Sequence, residues 1–165
     1  MFTTDYYCLV AGLKEYALDA DTKGFDARAI VSEILEGVDK GDAREVRLLY
    51  GYYDCENIAA LRAGRSAHNP LGNLSREELE EELKAPKRLP EAVAVVVRAY
   101  ADPEGEDAET VDTTQRFEKA LFEAYYAACD RASSRFLRAW SAFDRNLRNV
   151  AAAVTPVRPG VPSRR

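Results

Sequence analysis

Between Glu106 and Thr155 the chain contains neither proline nor glycine, and its apolar residues recur at steps of three and four throughout. Phe117, Leu121, Tyr125, Ala128, Ala132, Phe136, Trp140, Phe143, Leu147, Val150 and Val154 all fall on that register. A spacing that averages near 3.6 fits only an α-helix, so this segment predicts one long helix, or two nearly collinear ones. Its aromatic-rich stripe must be covered by the earlier helices or by a partner.

The rest of the chain has to supply that cover, and it too reads as helical. From Asp26, Ala29, Ile30, Ile34 and Leu35 keep helical spacing until Gly37 to Gly41. Asp42 followed by Glu45 forms a capping pair for a second helix, on which Val46, Leu49, Tyr50, Tyr53, Asn57, Ile58 and Leu61 mark one face to about Ala63. His68-Asn69-Pro70-Leu71-Gly72-Asn73 is a turn cluster. Ser75 and Glu78 then open a short acidic helix that ends near Lys84, its glutamates set in solvent. Pro90 suits the first turn of another helix with Val93, Val96, Val97 and Tyr100 inward. The β-branched run Val93 to Val97 also suits a strand, but no matching strand exists elsewhere to pair with it. The opening Tyr6 to Leu13 segment is apolar, aromatic and expected to be buried. Together these elements predict an all-α antiparallel helical bundle with one long C-terminal helix. A single domain is expected over residues 1–154, with Asp102 to Asp107 as an internal linker and a mobile Pro/Arg-rich tail over 155–165.

Composition bears on what such a bundle does. Hydrophobic residues at 47% against 31% charged lie far from a disordered chain, and 165 residues suffice for one core. The net charge of −5 and the scattered basic residues argue against a nucleic-acid partner. Cys8, Cys55 and Cys129 are odd in number and widely separated, which points to a reducing compartment, each filling the role of a small buried hydrophobe. Neither a signal peptide nor a long apolar run is evident, so secretion and membrane insertion are not expected.

Chemistry is scarce. The single histidine, His68, lies in a turn with no patterned nucleophile beside it, and the cysteines do not cluster as metal ligands. No glycine-rich phosphate loop of the P-loop type occurs. Catalytic residues, a cofactor and a metal are therefore not expected, and the chain reads as a non-enzyme.

Two polar constellations stand out. Asp54 and Asn57 lie one turn apart beside the Ile58 and Leu61 stripe, where an amide is expected to make buried hydrogen bonds that fix a helix crossing. Glu56-Asn57-Ile58-Ala59-Ala60 aligns with Arg148-Asn149-Val150-Ala151-Ala152, which follows Phe143-Asp144, and the weak repeat predicts a like role for Asn149 in a second, similar helical unit.

The segment Asp54-Cys55-Glu56-Asn57-Ile58-Ala59-Ala60-Leu61-Arg62 resembles the D-x-x-N-I/L-x-x-L-R stretch of the C-type central-stalk component (d-type in eukaryotes) of V-type and archaeal-type ATPases. Tyr6 to Leu13, the Asn69 to Ser75 turn and Trp140 to Ala152 look like a bacterial family typically encoded within V-type ATPase operons. The C-type proteins are longer, with three related helical units. The resemblance implies a non-catalytic central-stalk part that seats the rotor shaft on the membrane ring of proteolipid subunits during ion transport. It implies a cytoplasmic place, peripheral to the membrane through the complex, and structural or interface roles for Asp54, Asn57, Arg62, Asp144, Arg148 and Asn149. The alternative is a free-standing helical regulatory or assembly adaptor, and the exposed aromatic content leaves room for a homodimer in isolation.

Overall fold

A computed structural model describes residues 5–16, 24–101 and 111–154. The described residues form seven α-helices and no strand: α1 (Tyr7–Gly12), α2 (Ala27–Gly37), α3 (Lys40–Arg62), α4 (Arg76–Lys84), α5 (Glu91–Ala99), α6 (Val111–Asp130) and α7 (Arg135–Val154). The all-α class is as the periodicity predicts. The Asp102 to Asp107 linker and the 155–165 tail lie outside the described residues.

α6 packs against α3, α5 and α7 alike, and the longest described helix is α3. α6 runs antiparallel to it, bringing Phe117 beside Arg62 at one end and Ser133 beside Glu45 at the other. The core is formed where α3, α4, α5 and α6 meet, with Ile58, Leu79, Val93, Val97, Phe117 and Leu121 almost wholly buried. Tyr125 closes one side by donating its hydroxyl to the Leu49 carbonyl at 3.1 Å. Burial pushes that phenol far above its ordinary pKa, and it stays a donor at any ordinary pH.

The expected long C-terminal helix is instead a helical hairpin. After Asp130 the chain turns through Arg131 to Ser134, and α7 folds back along α6, so that Tyr126 reaches Asp144 and Asp130 reaches Arg145. The apolar spacing runs unbroken through this turn, which is why periodicity hides it. Capping chemistry produces it: the Ser134 hydroxyl accepts from the Leu137 N–H at 3.2 Å, as an N-cap does. Glu45 of α3 then holds the turn, accepting from the Ser133 hydroxyl at 2.6 Å and from the Ser133 and Ser134 N–H groups.

Other expectations are corrected locally. The cap of α3 is Asp39, whose carboxylate accepts from Gly41 and Asp42 N–H, while Glu45 serves the hairpin turn and Asp42 accepts the Tyr6 hydroxyl at 2.6 Å. The Ser75/Glu78 capping box of α4 is present as expected. Glu82, expected in solvent with its neighbours, is buried, and one of its oxygens accepts from the N–H groups of Lys87, Arg88 and Leu89, tying α4 to the start of α5. The opening segment is a short helix lying on the surface, not a buried one. Tyr7, Cys8 and Val10 are exposed, and only Tyr6, Leu9 and Leu13, which share one face, turn toward the body. Cys55 and Cys129 are the buried small hydrophobes expected, and Cys8 is not.

Candidate functional site

The resemblance motif on α3 forms a clamp. Asp54 and Asn57 lie three residues apart on one face, and the chain returns to that face through the Asn69 to Ser75 turn. The Asn57 amide donates to the Asn69 carbonyl at 3.0 Å and accepts from the Asn69 N–H at 2.6 Å, so one side chain satisfies both backbone groups of one residue. The Asp54 carboxylate accepts from the Asn73 amide at 2.6 Å and from the Leu74 N–H at 3.1 Å. Asp54 and Asn57 are 4% and 3% exposed, and among the described residues no buried side-chain polar atom lacks a partner. Burial pushes the Asp54 carboxyl above its ordinary range, against the pull of the Asn73 and Leu74 hydrogen bonds.

Gly72 completes the clamp. A Cβ there would stand 2.8 Å from an Asp54 oxygen and 2.9 Å from the Asn57 amide nitrogen, closer than real side chains tolerate. Asn69 shapes the turn by accepting the Leu71 N–H, and Asn73 also donates to the Arg47 carbonyl. The sequence shows Asn69 to Asn73 as a turn, but the pairing of that turn with Asp54 and Asn57 joins residues 12 to 20 apart and leaves no local signal.

Arg62, at the end of the same helix, donates to the Tyr100 carbonyl at 2.7 Å and lies over the Phe117 ring at 4.5 Å. It ties the end of α5 and the first half of α6 to α3. Asp144 and Arg148 form a separate group on α7: Asp144 accepts from the Tyr126 hydroxyl at 2.7 Å and from Arg148 at 2.9 Å, and the guanidinium stacks over the Tyr52 ring at 4.1 Å. Burial, together with the hydrogen bond to Asp144, raises the Tyr126 phenol pKa and keeps it protonated as the donor. Asn149 joins neither group. It is exposed beside Lys119, Glu123 and Arg145, so the buried amide expected from the repeat is absent there.

Of the hollows along α3, one of about 490 Å³ lies beside Gly51, Asp54 and Leu89, and two others differ in character. One, about 550 Å³ and wide open, lies beyond Asn57 and is edged by Glu56, Arg65, His68 and Glu118. The other, about 280 Å³, is an aromatic trough between Tyr50 and Tyr53 of α3 and Phe136 and Trp140 of α7. It continues onto the outer side of α7, where Phe143, Leu147, Val150 and Val154 are also exposed. Among the described residues no three His, Cys, Asp or Glu side chains gather as metal ligands, and no helix is long and apolar enough to cross a membrane.

Among the described residues the molecule is thus all-α, with an internally satisfied polar clamp and a large exposed apolar face on α7. Residues 3–160 match the model of the family described as "Protein of unknown function (DUF2764)", and the chain belongs to that family. No curated protein and no solved structure matches it.

Proposed function

We propose that the chain is a non-catalytic, C/d-type central-stalk component of a V-type rotary ATPase, coupling the rotor shaft to the proteolipid ring during ion transport. One observation carries the reading. Of the four segments that bear the resemblance, one lies on α3 and the other three meet that helix. Tyr6 bonds the α3 N-cap and first turn, the Asn69 to Ser75 turn is clamped by Asp54 and Asn57, and Arg148 of the closing segment stacks on Tyr52. A part that transmits torque needs a body whose pieces are locked to one stiff element, and this arrangement provides one.

A second reading, a free-standing regulatory or assembly adaptor of the same ATPase, is favoured by the inward use of Asp54, Asn57 and Arg62. Their polar atoms are engaged by the protein itself, which leaves the α7 face as the surface on offer. The test is affinity purification of the tagged protein from gently solubilised membranes of its native host. Catalytic, shaft and proteolipid subunits recovered in near-equal amounts support the central-stalk reading, with Asn57→Leu and Arg62→Glu expected to lower that recovery. Substoichiometric recovery that washes away favours the adaptor. Recovery of the protein alone ends both.

A further inference from the structure

The outward side of α7 carries Phe136, Trp140, Phe143, Leu147, Val150 and Val154, all exposed, at successive steps of four, three, four, three and four. That is the 3.5-residue repeat of a two-helix seam, and it extends about 27 Å along the helix. Phe136 and Trp140 also look across the trough toward Tyr50 and Tyr53 of α3, while the side of α7 packed against α3 and α6 uses Leu137, Ser141, Asp144 and Arg148. The monomer's core thus leaves the stripe largely exposed, most fully from Phe143 to Val154, and a contiguous apolar strip marks an association surface.

Its flanks say what kind of partner fits. Ala139, Asn146, Ala151 and Ala153 border the stripe and carry no charge, and the one bordering charge, Asp144, is already engaged by Tyr126 and Arg148. Charges at such flanking positions normally choose a heterologous partner. Arg138 and Arg145 point elsewhere, to the turn carbonyls and to Asp130.

Without flanking charges, shape decides, and the stripe is graded. Its first half is aromatic and its second half aliphatic. Two copies laid antiparallel, with the two-fold axis between Phe143 and Leu147, set Phe143 against Leu147, Trp140 against Val150 and Phe136 against Val154 of the second copy. Every layer is then large against small, which is how cores interdigitate. A parallel pair would stack Trp140 on Trp140, overfilling one end and leaving the other hollow, with both helix dipoles aligned unfavourably.

We propose that α7 pairs antiparallel with α7 of a second copy, making the isolated protein a two-fold homodimer. This goes beyond the ATPase reading and does not depend on it: a chain can dimerise without joining the enzyme, or join without dimerising.

The full chain is measured by sedimentation equilibrium over a dilution series, with Trp140 emission as a second readout, since this is the protein's one tryptophan and it lies in the seam. A dimer with blue-shifted emission is expected. Phe143→Lys and Leu147→Glu alone should each weaken association by about thirtyfold or more, as loss of an interface anchor does, without altering helical circular dichroism. Mixing these two variants should restore pairing, because the antiparallel register places the introduced lysine opposite the introduced glutamate. Wild-type protein that stays monomeric at every concentration overturns the proposal, as does a dimer indifferent to both substitutions. Failure of the mixture to recover overturns the antiparallel register. Binding of an acidic amphipathic peptide by a monomeric wild-type chain would assign the face to a different partner and overturn the homodimer.

Discussion

Glu56 to Ala60 and Arg148 to Ala152 share the pattern Asn, β-branched residue, Ala, Ala, and both are helical, yet they meet opposite environments. Asn57, Ile58, Ala59 and Ala60 are all buried, whereas Asn149 is exposed and Val150 is 60% exposed. The difference comes from what covers each helix. α3 is contacted by α4, α6 and the Asn69 to Ser75 turn, so Asn57, Ile58, Ala59 and Ala60 of the first segment are all covered. α7 meets α6 and α3 on one side, and among the described residues nothing returns to its other side. A local pattern can specify a helix and an apolar stripe on it. Whether the stripe becomes core depends on elements the pattern does not contain.

The largest effect that tests this contrast comes from the paired asparagines. Asn57→Leu removes the acceptor and the donor that satisfy Asn69 and forces a branched apolar side chain against a turn that approaches within van der Waals distance. Leaving two backbone groups unpaired should cost about 3 kcal/mol. Asn149→Leu, in solvent, should change stability by less than about 0.5 kcal/mol. Urea denaturation of the two variants, compared at equal slope, reads the difference directly. Equal losses would mean that the repeat has a common structural role after all.

Gly72→Ala sharpens the comparison from the side of the turn. The backbone at Gly72 requires no positive φ, so the effect isolates steric contact between the new methyl and the two clamp atoms. Neither atom is free to move, because each is held by its own hydrogen bond. A loss of about 2 kcal/mol in thermal or urea unfolding is expected, typical of an overfilled site. Gly64, at φ 67° with open space around its Cα, provides the contrasting case in which Ala costs about 1 kcal/mol through backbone strain alone.

Glu45 tests the hairpin that gives α7 its place. Burial alone would raise its carboxyl pKa, but the Ser133 hydroxyl and the Ser133 and Ser134 N–H groups, with Arg138 nearby, bring it below the ordinary glutamate value. A depressed pKa in the folded state means that the ionised form stabilises the fold. That contribution is present above the unfolded-state value and is lost as pH falls through the folded one. Glu45→Gln should lower stability at neutral pH by about 1 kcal/mol and flatten the acid limb of the stability profile. A variant whose profile still parallels wild type below pH ~4.5 would show that the carboxylate does not hold the turn.

The helices are legible in the sequence because their signals are local. Asp26, Gly37, the Ser75/Glu78 box and Pro90 mark true boundaries, whereas Gly41 falls inside α3. The Asp54 and Asn57 pair is legible as buried polar chemistry, since an amide beside an apolar stripe must find partners. What they bind is not, because the partners lie across a turn. The hairpin at Arg131 to Ser134 is hidden for a related reason. The step of three and four passes through it, and the signals that break it, a serine cap and a carboxylate 88 residues away in sequence, do not disturb periodicity. Repeat matching fails at Asn149 because it compares residues and not their coverage.

The smallest expected effect completes the contrast. Ile58 is fully buried, and the aligned Val150 lies on the open stripe. Val150→Ala removes two methyl groups from a side chain that is already largely in water, so the monomer gives up little transfer free energy and no cavity forms. Its unfolding free energy at high dilution should stay within about 0.5 kcal/mol of wild type, with Ala's better helix propensity offsetting part of the lost contact. At higher protein concentration the same variant should fall progressively below wild type, because association stabilises only the chain that can pair. A Val150→Ala deficit that is large and independent of concentration would place Val150 in the monomer's own core and erase the distinction between the two segments.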